Sequence, residues 1–254
     1  MGNTDQSWEK LGEIDPYFSV LAHPRFRAAA TGGETRREFF TSGEEHVERL
    51  FAIIRENLDP KFAPRRALDF GCGVGRVAIP LARRVEQVVA VDVSDSMLNE
   101  ANKNCEEAGV RNVTLLRSDD GLGNLSGAFD FIHSFIVFQH IPSRRGETIL
   151  REMLRRLADN GVGALHFTYA SRAPKWRRLL HRLRATVPFV YNLVNLAKGR
   201  SFGYPNVEMN SYNVNRLILH LQDHGCHPVH LRFSDHSGHR GVVLFFKKEA
   251  LPLL

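Results

Sequence analysis

Cysteine is scarce. Cys72, Cys105 and Cys226 are the only three in 254 residues, and none belongs to a CxxC pair. That spacing excludes a disulfide framework and a zinc knuckle, and it fits a reducing compartment. Long apolar runs are lacking too. The most apolar stretch, 129–141, is broken by Asp130, His133, Gln139 and His140 and is too short to span a bilayer. The first residues show neither the basic start nor the apolar run of a signal peptide. Gln6 stands where a myristoylation pattern wants Ser or Thr. The expectation is a cytoplasmic protein. Hydrophobic residues make up 43% of the chain and charged residues 24%, ordinary values for a globular protein. A chain of this length can bury one sizeable core.

The net charge of +6 is unevenly spread. Segment 171–207 holds eight basic residues (Arg172, Lys175, Arg177, Arg178, Arg182, Arg184, Lys198 and Arg200) and no acidic one. The rest of the chain is therefore slightly acidic, and a nucleic-acid footprint over the whole domain is unsupported.

Residues 1–63 read as a helical cap. Thr41-Ser42-Gly43-Glu44-Glu45 has the composition of a helix start, and Val47, Leu50, Phe51 and Ile54 follow at helical spacing. From 64 onward short apolar runs alternate with helical patterns. Strands are expected at 67–70, 88–92, 113–116, 129–134 and 162–168, with helices at 77–82, 96–108 and 147–157 between them. Such alternation predicts a parallel sheet with helices on both faces, open and doubly wound, with ligands at the carboxyl ends of its strands. An insertion over 171–210 interrupts the pattern. A helix at 213–224 and two apolar runs, 229–233 and 241–247, close the chain. The loop Ser-Asp-His-Ser-Gly-His between those runs suits antiparallel strands.

The most specific feature is Asp69-Phe70-Gly71-Cys72-Gly73-Val74-Gly75, directly after a strand and before a helix. Glycines belong where the backbone turns sharply and a ligand approaches with no side chain between. The helix behind them presents unpaired N–H groups. A dinucleotide fingerprint wants a third glycine where Arg76 stands, which argues against a nicotinamide-dependent oxidoreductase. The pattern present is D-x-G-x-G-x-G. It resembles the first motif of the class I S-adenosylmethionine-dependent methyltransferases. Asp92 closes the second strand and Asp119 the third; Phe129-Asp130-Phe131-Ile132-His133-Ser134 with Gln139-His140-Ile141-Pro142, and Asn160-Gly161-Val162-Gly163, are similar to later motifs of that family. The resemblance covers roughly 65–170 well and 211–247 more loosely.

The resemblance implies a seven-stranded sheet of order 3-2-1-4-5-7-6 with its last strand antiparallel, and S-adenosylmethionine as cofactor. By the family pattern Gly71 and Gly73 approach the methionine part, with Asp69 behind them. Asp92 holds the ribose. Val93 and Met97 pack near adenine beside Asp119, or beside Asp120 in its place. Cys72 and Ser134 complete the expected cofactor set.

A methyl donor with a positive sulfur needs an aligned acceptor above all, and a hydroxyl acceptor gains from a base, most often histidine. His140, on the loop after the fourth strand, is the candidate base; His133, His166 and Tyr169 stand near strand ends. Gln139 occupies the place where some family members carry a metal-binding Glu, so no metal is expected. The C-terminal histidines (His220, His224, His227, His230, His236 and His239) show no converging ligand set and read as a solvated surface. The Asn/Asp-Pro-Pro-Tyr clamp of base-amine methylation is absent from Ser134-Phe135-Ile136-Val137. A hydroxyl-bearing small molecule, such as a sugar-containing metabolite, fits better. RNA held by the basic 171–207 segment is the alternative. That segment also suits an anionic or lipid-linked substrate or a membrane surface.

Overall fold

The computed structural model describes residues 3–171, 205, 207–236 and 238–249. Seven strands form one sheet: β1 Arg66–Phe70, β2 Gln87–Asp92, β3 Val113–Arg117, β4 Phe129–Ser134, β5 Leu157–Ser171, β6 Cys226–His236 and β7 His239–Lys248. Their order is β3-β2-β1-β4-β5-β7-β6. The first five run parallel and β7 lies antiparallel between β5 and β6. This is the expected topology. The basic segment 172–204 lies outside the described residues.

Strand alternation divides the core. Leu68 and Phe70 of β1 point to the face covered by α6 (Ser143–Arg156) and α7 (Val214–Asp223), where Ile149, Leu150, Met153, Leu217 and Leu221 are buried. Ala67 faces the other way, toward Val47, Leu50 and Ile54 of α3 (Glu34–Asn57) and Ala78 and Leu81 of α4 (Ala78–Ala82). Asp69 shares that second face, because successive strand side chains alternate. α1 (Asn3–Ile14) and α2 (Pro16–Val20) pack beside α5 (Asp95–Glu107).

Several boundaries differ from the sequence reading. Thr41-Ser42-Gly43 does not start a helix; α3 begins at Glu34 and runs straight through. Gly43 is tolerated mid-helix because a Cβ there would overlap the Arg76 carbonyl, and the Ser42 hydroxyl turns back to the Phe39 carbonyl at 2.6 Å. The helix thus seats directly on the glycine loop. Pro80 lies in the first turn of the short α4, where no helical bond is lost. α6 starts four residues early, at Ser143. Between α6 and the main ladder of β5, residues 158–161 bulge, with Asn160 at φ 62. β6 and β7 extend to His236 and His239, so the expected loop shrinks to a tight turn at Gly238, φ 84.

Among the described residues no helix is long and apolar enough to cross a membrane.

Candidate functional site

At the carboxyl ends of β1, β2 and β4 a cleft of about 840 Å³ opens, counted out to its mouth. The glycine loop forms one side. Gly71 and Gly73 sit at φ 74 and φ 53, a left-handed region that side chains disfavour. The N–H groups of Gly71 and Cys72 both reach the Val91 carbonyl, at 2.8 and 3.0 Å. A Cβ at Gly71 would overlap Val137, and one at Gly73 would overlap Val20. The loop thus takes a shape only glycine fits.

Asp92 faces the cleft from the end of β2. Its carboxylate accepts from the Gly73 N–H at 2.9 Å and the Ser94 N–H at 3.1 Å, which ties strand to loop. Burial pushes its pKa up to about 6, against the pull of these N–H donors. Val93 and Met97 line the same wall. Ser94 caps α5 by accepting from the Met97 N–H at 3.1 Å, which aims Met97 at the cleft.

Asp119, Cys72 and Ser134 do not line the cleft, while Asp69 lies behind the loop as expected. Asp119 turns away and accepts from the Gly123 N–H at 3.0 Å; its neighbour Asp120 lines the cleft instead. Cys72 is buried in the core on the α3 side, leaving the cleft to its glycine neighbours. Ser134 is buried and donates to the Phe70 carbonyl at 3.0 Å, bracing the ends of β4 and β1. Asp69 is buried beneath the loop and meets the His133 Nδ1 at 2.8 Å.

His140 does line the cleft, with Trp8 against its ring at 4.9 Å. Both of its nitrogens are engaged. Nδ1 donates to the Glu208 carbonyl at 2.9 Å, so Nε2 is the accepting nitrogen and takes a hydrogen from the Gln139 amide at 3.0 Å. The Gln139 carbonyl oxygen is in turn held by the Thr168 hydroxyl at 3.0 Å, which fixes the amide's orientation. Burial pushes His140 down to about 4. The expected base is therefore a neutral, fully bonded wall residue with no free lone pair. Beside it, Ile136 sits at φ 63, a costly conformation for a β-branched residue and a mark of a constrained functional loop.

The opposite wall is N-terminal, built from residues that the sequence reading did not single out. Thr4, Asp5 and Trp8 of α1, with Ser19 and Val20, close the cleft. Tyr17 and Phe39 of the same region are buried with Phe26 in a satellite core. Arg145 of α6 reaches across to bind Asp5 through both terminal nitrogens, at 2.7 and 3.0 Å, and Asp120 through Nε at 2.6 Å. The pattern that would have betrayed this wall is three-dimensional: Asp5 and Arg145 lie 140 residues apart. Ser42-Gly43, read as part of a helix start, is mid-helix and presents no free N–H groups to a ligand.

A second group lies behind Phe135, which also lines the cleft. His46 packs on the Phe135 ring at 4.5 Å and His166 at 5.1 Å, with His236 against His166 at 5.4 Å. Burial, with His236 beside it, pushes His166 down to about 3; burial, His133 and Arg76 push His46 down to about 2. Both rings are neutral near pH 7. Among the described residues no three His, Cys, Asp or Glu side chains are placed to hold a metal ion.

Comparison with known proteins gives this geometry a family. Residues 67–161 match a family model described as a methyltransferase domain. Over 108 residues the chain is 36% identical to the 23S rRNA (uracil(1939)-C(5))-methyltransferase RlmD of Burkholderia pseudomallei, covering 39% of this chain and 22% of that protein. The chain thus spans about a fifth of the length of such curated relatives. Its fold is similar to magnesium protoporphyrin IX methyltransferase ChlM from Synechocystis PCC 6803 with bound SAH, at TM-score 0.61 and 17% identity over 93% of this chain and 99% of that one. It is also similar to the N-methyltransferase NodS from Bradyrhizobium japonicum WM9 in complex with S-adenosyl-L-homocysteine, at TM-score 0.59 and 15% identity over 98% and 100%. At such identities the likeness carries the fold alone. The matched stretch 67–161, the strand order and the glycine loop agree: the chain carries a class I S-adenosylmethionine-dependent methyltransferase domain of Rossmann-like fold.

Proposed function

We propose that this protein transfers a methyl group from S-adenosylmethionine to a hydroxyl of a small metabolite. The cleft suits the cofactor: Gly71 and Gly73 line one side with bare backbone, and Asp92, Val93 and Met97 line the wall beside them. In this reading Gly71 and Gly73 face the methionine part, with Asp69 behind the loop. Asp92 accepts from the ribose hydroxyls, Val93 and Met97 flank the adenine, and Asp120 takes the acidic position expected of Asp119. Bound S-adenosylmethionine supplies a methyl carbon activated by the adjacent sulfonium charge.

The protein's own part is alignment. Holding two reactants in a near-attack pose is worth roughly 7–11 kcal/mol of barrier. Phe135, Ile136, Val137, Trp8 and His140 form a dry wall toward the acceptor side.

One observation carries the choice of a hydroxyl over an ammonium group. Of the three carboxylates lining the cleft, Asp5 and Asp120 are both bonded to Arg145, and Asp92 is taken by the loop and ribose side. A cationic acceptor finds no unengaged carboxylate there, whereas a neutral hydroxyl needs none.

The test is incubation with methyl-labelled S-adenosylmethionine and fractionated hydroxyl-bearing metabolites, read by mass spectrometry. Label on a carbon-bound oxygen supports the reading; label only on nitrogen overturns it. An RNA acceptor is a second reading, supported by the RNA-methylating relatives and the basic composition of 171–207. Filter binding to a mixed RNA pool at two salt concentrations separates the two, because phosphate-driven binding falls steeply with salt.

A further inference from the structure

The acceptor end of the cleft is apolar, and none of the described side chains there is free to take a proton. Trp8, Phe135, Ile136, Val137, His140 and Ile141 line it, with the Trp8 and His140 rings 4.9 Å apart. Among the described residues of the whole cleft lining, the groups able to accept a proton are Asp5, Asp92, Asp120 and His140. Asp5 and Asp120 sit at the nucleoside end, where Arg145 binds both. Asp92 accepts from the Gly73 and Ser94 N–H groups on the ribose side. His140 has both nitrogens engaged, Nδ1 by the Glu208 carbonyl and Nε2 by the Gln139 amide. His46 and His133, whose Nε2 atoms lie 3.1 Å apart, stand with His166 behind this lining and not in it.

With no base at hand, the acceptor's own acidity decides the reaction. An aliphatic hydroxyl holds its proton about as tightly as water does, at about 15.7, so near pH 7 it presents almost no alkoxide. A phenolic hydroxyl ionises near about 10. At a given pH it is roughly 10⁵–10⁶-fold more ionised, and it gives its proton to solvent unaided. An aromatic ring also suits the wall, because aromatic pairs add specific attraction to simple burial, and Trp8 and Phe135 both offer rings. Composition sets no charge against an anion: segment 171–207, which begins at the end of β5, carries eight basic residues and no acidic one.

We propose that the acceptor is a phenol, a hydroxyl on an aromatic ring that docks against Trp8 and Phe135 and reacts as its own phenolate; this narrows the hydroxyl reading above and rests on it. The O–H proton leaves to solvent before transfer, and its electron pair stays on oxygen. That oxygen forms a bond to the methyl carbon as the methyl–sulfur bond breaks, and the electrons of the broken bond stay on sulfur. The phenolate and sulfonium charges cancel, and their attraction is stronger where the apolar wall excludes water. Trp8 is the specificity-determining residue, because it supplies a ring contact that an aliphatic alcohol cannot use. His140 packs on Trp8 and holds the Glu208 carbonyl; it takes no proton.

The test sets phenol, a more acidic nitrophenol and cyclohexanol side by side. In protein loaded with S-adenosylhomocysteine, calorimetry should show phenol binding more tightly than cyclohexanol, a ring of similar size without aromatic character. Trp8→Leu should cut phenol affinity about two- to tenfold, the range of one aromatic pair, and leave cyclohexanol unchanged. With labelled S-adenosylmethionine both phenols should gain methyl on oxygen, and cyclohexanol at least about 100-fold less, the least that an absent base would cost it. At saturating S-adenosylmethionine, kcat/KM should rise about tenfold per pH unit up to the acceptor's own pKa, so the inflection lies lower for the nitrophenol. His140→Ala and His181→Ala, the latter removing the histidine of 172–204, should leave that inflection in place. Equal binding of phenol and cyclohexanol, one inflection shared by both phenols, or cyclohexanol methylated within about tenfold of phenol overturns the proposal. So does a lack of phenol labelling by protein that binds S-adenosylhomocysteine. Label on an aliphatic oxygen in the metabolite fractions removes this proposal and leaves the hydroxyl reading; label only on nitrogen removes both.

Discussion

The two halves of the cleft are built by different means. On the β1–β2 side, backbone does the shaping: two left-handed glycines, a carboxylate gripping a loop N–H, and a capped helix pointing Met97 inward. On the β4–β5 side, side chains do it: Phe135, Trp8 and His140, a strained Ile136, and bonds from Gln139 and Thr168 that meet over long sequence separations. A backbone-built half suits a ligand that is the same in every turnover. A side-chain-built half can vary with the acceptor while leaving the sheet untouched.

The strongest way to break this contrast is Asp92→Ala. Hydrogen bonds to a charged group contribute about 1.5–3 kcal/mol each, and Asp92 is assigned two from the ribose besides its loop contacts. Calorimetry with S-adenosylhomocysteine should show at least about a 100-fold loss of affinity. An affinity within about threefold of wild type would mean that the backbone half does not hold the nucleoside.

Gly146→Ala probes the other half and should act on stability. A Cβ there would overlap the Tyr212 hydroxyl, which donates to the Ile141 carbonyl at 2.8 Å and so pins the loop carrying His140. Overpacking of this kind costs about 1–3 kcal/mol. The melting temperature should fall by several degrees while S-adenosylhomocysteine affinity holds. A parallel loss of affinity would show that the two halves are mechanically one.

A pH series sharpens the contrast further. Asp92 must be ionised to accept from both ribose hydroxyls, and burial raises its carboxyl to about 6 in the empty cleft. Affinity should be flat above about pH 7 and weaken as pH falls through 6, approaching about tenfold per unit. His140 titrates lower, at about 4, and leaves this window clear. A flat profile down to pH 5 would place the carboxylate outside the binding contacts.

The same division explains what the sequence revealed. Strand order, the glycine loop and the strand-end position of Asp92 follow from local residue types, because a tight turn and a strand terminus impose them wherever they occur. Asp119 and Asp120 were separable only in three dimensions, since either neighbour can cap the turn and the Gly123 N–H chose the first. The helix start expected at Thr41 failed for a tertiary reason: Gly43 serves contact with the Arg76 backbone, not helix termination. Likewise nothing local marks His46 as a partner of His133, 87 residues away.

The smallest expected effect belongs to Arg145, and it tests where the boundary between the halves runs. Arg145 binds Asp5 of α1 and Asp120 after β3 together, so it fastens the N-terminal helix over the nucleoside end of the cleft. Glu9 adds a second tie, accepting from the Ser96 hydroxyl at 2.6 Å, and α1 therefore stays docked when the first is cut. Exposed ion pairs contribute only about 0.2–1 kcal/mol; Asp120 is half exposed, but Asp5 and Arg145 are largely buried, and removing one partner of a buried pair destabilises more. Arg145→Ala should therefore weaken S-adenosylhomocysteine binding by only about two- to fivefold, with a modest fall in melting temperature. If cofactor affinity falls while turnover at saturating S-adenosylmethionine holds, the Arg145 cluster belongs to the nucleoside half; if neither property moves, α1 belongs to neither half.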